Sequence, residues 1–475
     1  MKNFNNKILW NSNDLSRVLN VNILGNWKCN KIEIDSRKVK PGCLFLALKG
    51  KNLDGHDFIK DAINNGAVGV IINKKKIFKT NDNLIITVDD VYKSMLLLAE
   101  DARNQVTEFK DSAIIAITGS SGKTSTKEML YSSLSQVSDS YANPESYNNH
   151  VGVPYSLLNM PRKTRYGIFE IGMNHANEIR PLSKLVKPNI VIITNITEAH
   201  IGNFKSLYDI VKAKSEIFEG LERSGYVIIN RDFKSYDKTI ELAKKNGVKN
   251  IISYGRHKKS DINLISISAL SRGQRIEAKA FGKKYIYKIN FEGSHQAINS
   301  LSILGTLLVL KQDMRACLKS MFSSFLPNGR GNKYIFSSNK SNLVLIDDTY
   351  NANPSSVIAS IKMLNEIANK KRKVMILGEM RELGNYSNSL HLSLTKYLIE
   401  AKMGLLILVG NKTKGLYNKL KMQMKCIWAK NSEELISTNF IELILPGDFM
   451  IVKGSRSMSM ETIVDYIKNI YSSKE

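Results

Sequence analysis

The stretch "AITGSSGKTSTKEML", Ala116 to Leu130, places two glycines, a lysine and a threonine between an apolar run and a helix-like segment. Glycines let backbone N–H groups approach phosphate oxygens, and the N-terminus of a following helix adds a positive dipole. In this G-x-x-G-K-T spacing the lysine reaches terminal phosphates and the threonine can bind Mg²⁺. An ordinary strand-to-helix turn is the alternative, but the pattern favours ATP with Mg²⁺. The predicted phosphate-binding residues are Gly119, Ser120, Ser121, Gly122, Lys123, Thr124 and Ser125.

Four further side chains follow apolar runs: Glu170, His200, Asp347 and Asp348. Because the carboxyl ends of parallel strands share one edge of a sheet, Glu170 is a candidate ligand of phosphate-bound Mg²⁺. Its alternative is a surface acid, and a lone histidine is more often a hydrogen-bonding structural residue. The two aspartates could contact ribose or metal, or serve as a turn or helix cap. These residues alone indicate a Mg²⁺-nucleotide enzyme and leave phosphoryl transfer, ATP-driven motion and ligation open.

The apolar runs predict the elements that position these residues. "AIIAIT", "YGIFEIG", "NIVIITNI" and "YVIIN" each precede a helical stretch, which predicts a mostly parallel sheet with helices on both faces. "CLFLALKG" and "VGVII" predict a smaller α/β unit before it. After the turn-rich "LPNGRGN", four apolar runs from "LVLIDD" to "FMIVKGS" predict another parallel sheet. The predicted fold is α/β, with domains 1–110, 111–326 and 327–475.

Composition is that of a soluble multidomain protein: 475 residues, 43% hydrophobic and 24% charged. No apolar run approaches the roughly 20 residues that cross a bilayer, and the N-terminus has no secretory pattern. The four cysteines form no C-x-x-C pair, which is typical of reduced cytoplasmic thiols and not of a zinc site.

The net charge of +26 raises nucleic-acid binding as an alternative. However, the lysines stand in short clusters without interleaved aromatics, and a Lys, Asn and Ile bias runs through the whole chain. An enzyme with anionic nucleotide substrates uses positive potential equally well.

Eight segments together resemble the Mur ligases of peptidoglycan synthesis, over nearly the whole chain. They are "DSRKVKPGCLFLALKGKNLDGHDFI", "TGSSGKTSTKEM", "YNNHVGVP", "EIGMNHANEI", "AHIGNFKSLYDIVKAKSEIF", "DDTYNANPSS", "LGEMRELG" and "VKGSR". The resemblance implies an N-terminal domain for a UDP-linked substrate, a central ATP domain and a Rossmann-like C-terminal domain. "YNANPSS" with "EIGMNH" favours the branch that adds D-alanyl-D-alanine over the sister ligase that adds the third amino acid.

The resemblance also assigns catalytic roles. Lys214 is similar to a family lysine that CO₂ carbamylates; from the residues alone it would be a solvated helix residue. Thr124 and Glu170 would hold the Mg²⁺ of the nucleotide. Glu170, His200 and the Lys214 carbamate would hold a second Mg²⁺, and Lys123, His200 and Lys214 are the implied catalytic residues.

Further binding positions follow from the resemblance. Asn299 of "SHQAIN" matches the adenine contact, although Gln296 replaces the family's first asparagine. Arg330 matches a phosphate-contacting arginine and Asp348 a ribose-binding acid, with Tyr350 beside the nucleotide. The implied substrate-binding residues are Ser36 and Arg37 near the UDP moiety, Asn148 and Asn149 in "YNNHVGVP", and Asn351, Asn353, Lys453 and Arg456 near the dipeptide.

The implied activity is ATP-dependent ligation of D-alanyl-D-alanine to UDP-N-acetylmuramoyl-tripeptide through an acyl phosphate, in a cytoplasmic monomer with no nucleic-acid or membrane partner. Three alternatives stay open: the sister ligase, a nucleic-acid-stimulated P-loop ATPase, and a folylpolyglutamate-type ligase. The last does not account for "DSRKVKPG".

Overall fold

The computed structural model describes residues 8–76, 84–106, 111–144, 146–337 and 342–472. The chain forms three successive α/β domains, each built around its own main sheet. The predicted α/β class, with a central phosphate-loop sheet and a Rossmann-like C-terminal domain, is confirmed. The boundaries after residues 110 and 326 stay predictions.

The N-terminal domain has a parallel four-stranded sheet in the order β3-β4-β5-β6 and a small antiparallel pair, β1-β2. The elements are β1 (Trp10–Asn11), α1 (Ser12–Leu19), β2 (Lys28–Cys29), β3 (Lys31–Glu33), β4 (Cys43–Leu46), α2 (Ile59–Asn64), β5 (Gly69–Asn73), β6 (Ile85–Val88) and α3 (Val91–Val106).

The central domain contains a nine-stranded sheet. Its elements are β7 (Ala113–Thr118), α4 (Lys123–Leu134), β8 (Ser140–Ala142), α5 (Gly152–Leu158), β9 (Tyr166–Glu170), α6 (Ile179–Val186), β10 (Ile190–Ile193), α7 (Leu207–Ser215), β11 (Tyr226–Asn230), α8 (Tyr236–Lys245), β12 (Asn250–Gly255), β13 (Ile262–Ala269), β14 (Gln274–Ala280), β15 (Lys283–Ile289), α9 (Ser294–Val309) and α10 (Met314–Ser320). The strand order is β15-β14-β13-β12-β11-β10-β7-β9-β8, parallel from β8 to β13 and antiparallel from β13 to β15.

Side-chain alternation along β7 explains why helices cover both faces of this sheet. Ile115 and Ile117 pack into the core that contains Leu130 of α4 and Leu301 of α9. Ile114 points to the opposite face and packs into the core formed with α5, α6 and α7. This packing on both faces fixes the carboxyl ends of the adjacent strands β10, β7 and β9. The loops that follow these strands face the C-terminal domain.

The C-terminal domain has six strands in the order β16-β17-β21-β18-β19-β20, with only the edge strand β16 antiparallel. The elements are β16 (Asn332–Phe336), β17 (Leu343–Asp348), α11 (Pro354–Ala368), β18 (Lys373–Gly378), α12 (Ser387–Leu392), α13 (Thr395–Glu400), β19 (Leu405–Val409), α14 (Lys414–Leu420), β20 (Cys426–Ala429), α15 (Ser432–Ser437), β21 (Phe449–Lys453) and α16 (Glu461–Ser472).

Buried hydrogen bonds join the N-terminal and central domains. The Arg103 guanidinium, 1% exposed, donates to the carbonyls of Val186 (2.6 Å) and Lys187 (2.5 Å) at the end of α6. We call this interface the N-terminal seam; its other bonds include Trp10 Nε1 to Leu158 O (2.9 Å), Ile32 N to Asn159 Oδ1 (2.9 Å), Asn159 Nδ2 to Ile32 O (3.0 Å) and Arg162 Nε to Leu9 O (2.7 Å). No helix within the described ranges combines the length and apolar content that a membrane-spanning segment requires.

Candidate functional site

Most predicted residues meet in one cavity of about 350 Å³ between the central and C-terminal domains. This volume lies within the roughly 300–1,000 Å³ that is usual for ligand sites. The predicted residues that line it are Ser120, Ser121, Gly122, Lys123, Thr124, Ser125, Asn148, Glu170, His200, Asn299, Arg330, Asp348, Tyr350, Asn351, Asn353 and Lys453.

The phosphate loop leaves β7 and enters α4 through two glycines. A Cβ atom at Gly119 would overlap the Thr194 hydroxyl. Gly122 has φ +79°, and a Cβ there would overlap the Asn299 amide. Glycine is therefore required at both positions by close approach, and at Gly122 also by a left-handed backbone. Lys123, the first residue of α4, donates through Nζ to the Gly119 carbonyl at 2.9 Å.

Glu170 at the end of β9 is buried and held by two side chains. The Thr124 hydroxyl donates to Oε2 at 2.7 Å, and Asn148 Nδ2 donates to Oε1 at 2.8 Å. Burial opposes ionisation of the carboxyl, but the positive charges of Lys123 and Arg330 outweigh it, so the pKa of Glu170 lies below its ordinary value. The predicted pair of Thr124 and Glu170 is thus an ionised carboxylate beside a hydroxyl.

Lys214 lies in the protein interior, and the interpretation from the residues alone, a solvated helix position, is wrong. It is 1% exposed, on the apolar face of α7 that also carries Ile210 and Val211. Its Nζ donates to the Gly119 carbonyl at 3.2 Å, and no acidic side chain in the described ranges forms an ion pair with it. Burial, together with the charge of Lys123, lowers the pKa of Lys214 well below its usual range.

His200 reaches the cavity from the loop after β10 and contacts the C-terminal domain. Its Nδ1 lies 2.5 Å from Oε2 of Glu382, and this close polar contact with the imidazole holds the pKa of the Glu382 carboxyl below its ordinary value. Sequence reasoning missed Glu382, because the two residues are far apart in the chain and only the "LGEMRELG" motif drew attention to that loop.

The C-terminal wall is built at the ends of β17 and β21. Lys453 Nζ donates to Asp348 Oδ2 at 2.7 Å and to the Asn351 carbonyl at 3.0 Å. The guanidinium carbon of Arg330 lies 3.6 Å from the Tyr350 ring centroid, a cation–π contact. Asp347 instead accepts hydrogen bonds from the backbone N–H and hydroxyl of Thr349, so it serves as a turn residue.

The start of α9 supplies polar groups beside the phosphate loop. Asn299 lies against Gly122, and the buried Gln296 Oε1 has no hydrogen-bond partner among the described residues. Sequence reasoning did not single out His295, although it stands in the quoted motif. Burial lowers the pKa of His295 to about 4, so the ring is neutral near pH 7.

Gly119 and Lys214, described above, do not line this cavity, and neither do the remaining predicted positions. Ser36 is buried and accepts a bond from Asn65 at its carbonyl, whereas the exposed Arg37 side chain pairs with Asp35 at 2.9 Å. Asn149 caps the segment entering α5 through Gly152 N (2.9 Å). Arg456 pairs with Glu461 at 3.3 Å.

Small polar groups join the cavity walls in what we call the C-terminal seam. Gly202 N donates to the Glu382 carbonyl at 3.0 Å, beside the His200 contact. Other bonds of this seam include Asn353 Nδ2 to Ser120 O (3.3 Å), Thr197 Oγ1 with Ser355 Oγ (2.9 Å), and Ser146 Oγ with Tyr350 Oη (2.9 Å).

The donors fit a nucleotide-bound Mg²⁺ better than a metal held by protein alone. Among the described residues no group of three or more His, Cys, Asp and Glu side chains could hold a metal ion. Mg²⁺ commonly takes one or two carboxylates and completes its shell with phosphates and water. One ionised Glu170 beside the Thr124 hydroxyl matches that donor set, and the orphaned Gln296 oxygen offers an acceptor to a base.

Models of three Mur ligase domains match the chain: the "Mur ligase family, catalytic domain" at residues 28–113, the "Mur ligase middle domain" at 117–307 and the "Mur ligase, glutamate ligase domain" at 335–456. A UDP-N-acetylmuramoyl-tripeptide–D-alanyl-D-alanine ligase of Rickettsia prowazekii is 37% identical over 97% of this chain and 100% of its own. The chain belongs to the Mur ligase family.

Further proteins similar to this chain belong to the same branch of the Mur ligases. A ligase of that name from Buchnera aphidicola (subspecies Baizongia pistaciae) is 32% identical over 93% of both chains. A crystal structure of MurF from Acinetobacter baumannii superposes with a TM-score of 0.84 at 28% identity, covering 97% of this chain and 99% of that one. The resemblance to Mur ligases indicated by the motifs is confirmed, including the branch that "YNANPSS" and "EIGMNH" favour.

Proposed function

We propose that this Mur ligase joins D-alanyl-D-alanine to UDP-N-acetylmuramoyl-tripeptide, with ATP converted to ADP and phosphate. The observation that carries the proposal is the match, over 97% of the chain, to a UDP-N-acetylmuramoyl-tripeptide–D-alanyl-D-alanine ligase. The phosphate loop and the ionised Glu170 at one cavity agree with it, as does the buried Lys214, which bonds the Gly119 carbonyl behind that loop.

The reaction has two steps. The terminal carboxylate of the tripeptide attacks the γ-phosphorus of ATP, which forms an acyl phosphate and releases ADP. The amine of the dipeptide then attacks the acyl carbon, and the tetrahedral intermediate expels phosphate and leaves an amide bond. No protein nucleophile is required, so the residues act by positioning and electrostatics.

The side of the cavity that the central domain forms would hold the phosphates. Backbone N–H groups of residues 119–125 and the Lys123 ammonium are the donors, and Thr124 with Glu170 would hold Mg²⁺. When bound, that ion supplies positive charge that neutralises the phosphate oxygens. His200 with Glu170 and a carbamylated Lys214 would hold a second ion.

Carbamylation of Lys214 is part of the proposal because of its environment. CO₂ reacts with a neutral amine, and burial of Lys214 without an acidic partner among the described residues disfavours the charged form. A carbamate there would replace a cation with oxygen ligands beside the phosphate loop.

The nucleoside would lie along the start of α9 and the C-terminal wall. Asn299, with Gln296 beside it, would contact adenine, Asp348 ribose and Arg330 phosphate. Tyr350 holds the Arg330 guanidinium by its ring, 3.6 Å away.

The two acceptor substrates would occupy the outer positions. We assign Ser36 and Arg37 to the UDP end, and Asn148 and Asn149 to the path toward the cavity. The dipeptide would lie near Asn351, Asn353, Lys453 and Arg456. We also propose a monomer in the cytoplasm, where ATP and UDP-linked precursors are available.

Phosphate release from ATP by purified protein tests the function. UDP-N-acetylmuramoyl-tripeptide and D-alanyl-D-alanine are supplied separately and together, beside UDP-N-acetylmuramoyl-dipeptide with a diamino acid. We expect release only when tripeptide and dipeptide are both present, with the UDP-linked pentapeptide detected by mass spectrometry. Release only with the diamino acid would assign the chain to the sister ligase, and release with neither substrate pair would contradict the proposal.

A further inference from the structure

The loop from Met380 to Gly384 brings a carboxylate to His200 from another domain. Oε2 of Glu382 lies 2.5 Å from His200 Nδ1. His200 and Glu382 both have left-handed backbones, with φ of 60° and 62°. Such conformations are unfavourable for residues other than glycine and persist where the surroundings enforce them. Because both contacting residues have this unfavourable backbone conformation, we infer that the surrounding structure maintains the contact between them.

The loop is held on the C-terminal side by a buried histidine. His391 is 0% exposed; its Nε2 accepts the Met380 N–H at 3.0 Å, and its Nδ1 lies 2.7 Å from the Ser387 carbonyl. One ring nitrogen thus fixes the residue that begins the loop, and the other holds the ring against the start of α12.

The central domain holds the other side of the loop through its backbone. Gly202 N donates to the Glu382 carbonyl at 3.0 Å, and a Cβ at Gly202 would overlap Gly384. The backbone of the loop that carries Glu382 is therefore held both by the central domain and by the C-terminal domain, and this places the Glu382 carboxylate near His200.

We propose that Glu382 is a positioning residue that fixes His200 as the Nδ1–H tautomer and leaves Nε2 free to face a metal ion or phosphate. A neutral imidazole carries its proton on one nitrogen, and a carboxylate at Nδ1 selects which one. Among the described residues His200 Nδ1 makes no hydrogen bond of ordinary geometry, and the Glu382 carboxylate, 2.5 Å away, is the acceptor placed at that nitrogen. The inference rests on the proposed function. Because Glu382 belongs to the C-terminal domain, His200 would be correctly oriented only when that domain is docked on the central domain.

Kinetics of full-length variants test the role. We expect Glu382→Ala to lower kcat about 10–100-fold, the range for loss of a carboxylate that orients a metal-binding histidine, with little change in KM. Glu382→Gln keeps an oxygen acceptor and should restore most of kcat. Glu366→Ala is the matched control, because Glu366 makes a different contact between the same domains, accepting Ser294 N at 3.2 Å.

A second readout does not require turnover. In ¹⁵N-histidine-labelled protein without Mg²⁺ or nucleotide, the His200 resonances, assigned with His200→Gln, should show protonated Nδ1 in the wild type. In Glu382→Ala they should shift to protonated Nε2 or a mixture. Identical tautomers in both proteins would overturn the proposal, as would equal kcat losses in Glu366→Ala and Glu382→Ala. If the wild type forms no pentapeptide, the proposed function fails while the resonance comparison still decides the role of Glu382.

Discussion

The two seams of the central domain are built differently. The N-terminal seam uses large side chains and backbone carbonyls, with Arg103 fully enclosed. The C-terminal seam uses hydroxyls, amides and one His–Glu contact around a cavity. Buried bonds to backbone are costly to open, whereas contacts between small polar groups exchange readily with water or ligand. We therefore expect the first seam to determine stability and the second to determine activity.

The largest expected effect is on activity alone. Lys123→Ala should lower pentapeptide formation by about 10²–10³-fold or more, because a preorganised cation facing the transferred phosphoryl group is lost. Product is followed by mass spectrometry, and the urea midpoint should stay near that of the wild type. Full activity in this variant would remove the phosphate loop from the mechanism.

Arg103→Met tests the N-terminal seam. It leaves the Val186 and Lys187 carbonyls without their donor, so we expect a loss of about 2–4 kcal/mol in the free energy of unfolding. Urea denaturation measures this, with activity per folded molecule retained. The control is Arg17→Met, an exposed arginine paired with Asp101, which should change stability by less than about 1 kcal/mol. Equal effects would erase the distinction between the seams.

Two buried lysines should respond with opposite signs. Lys214→Met relieves the burial of an amine that has no acidic partner among the described residues, and should stabilise the protein by about 0.5–2 kcal/mol while abolishing activity. Lys453→Met removes the 2.7 Å partner of Asp348 and should destabilise it by about 1–3 kcal/mol. Thermal unfolding in CO₂-free buffer gives both values.

The pH dependence of the Lys214 effect follows from its lowered pKa. Between that pKa and the ordinary value near about 10.4, the unfolded chain binds more protons than the folded one, so wild-type stability rises with pH. The advantage of Lys214→Met should therefore shrink as pH is raised toward 10. An advantage that is constant with pH would show that Lys214 has an ordinary pKa.

The smallest effect separates a helix cap from a seam contact. Asn353 caps α11 and donates to Ser120 O across the C-terminal seam. Asn353→Ala should cost about 1 kcal/mol, whereas Asn353→Asp keeps the cap and loses only the donor. Chemical denaturation and KM for ATP distinguish them; equal stability losses would mean that the cap contributes nothing.

Local patterns made much of the fold and of the phosphate site predictable. Glycine spacing and strand ends identify Lys123, Thr124 and Glu170, because loop and strand edge are determined within short segments. The antiparallel strands β13–β15 were missed, although "INLISISA", "QRIEAKA" and "KKYIYKI" are separated by turns at Gly273 and Gly282 with φ of +76° and +85°. Edge strands carry mixed polarity, so their runs are less apolar than those of the central strands.

Contacts between residues that lie far apart in the chain could not be predicted from the sequence. The spacing of Ile210, Val211 and Lys214 places the lysine on an apolar face, a signal that could have indicated its burial. No local pattern indicates that Glu382 faces His200, because domain docking creates that contact.

The positions of the three tryptophans give the two seams different optical signatures. Trp10 is buried and bonded to Leu158 O, Trp27 lies in the same domain, and Trp428 donates to Gly410 O within the C-terminal domain. Separation at the N-terminal seam would expose the Trp10 indole and shift its emission to longer wavelength. Movement at the C-terminal seam leaves all three indoles in place, so intrinsic fluorescence would report the loss of one interface while staying silent about the other.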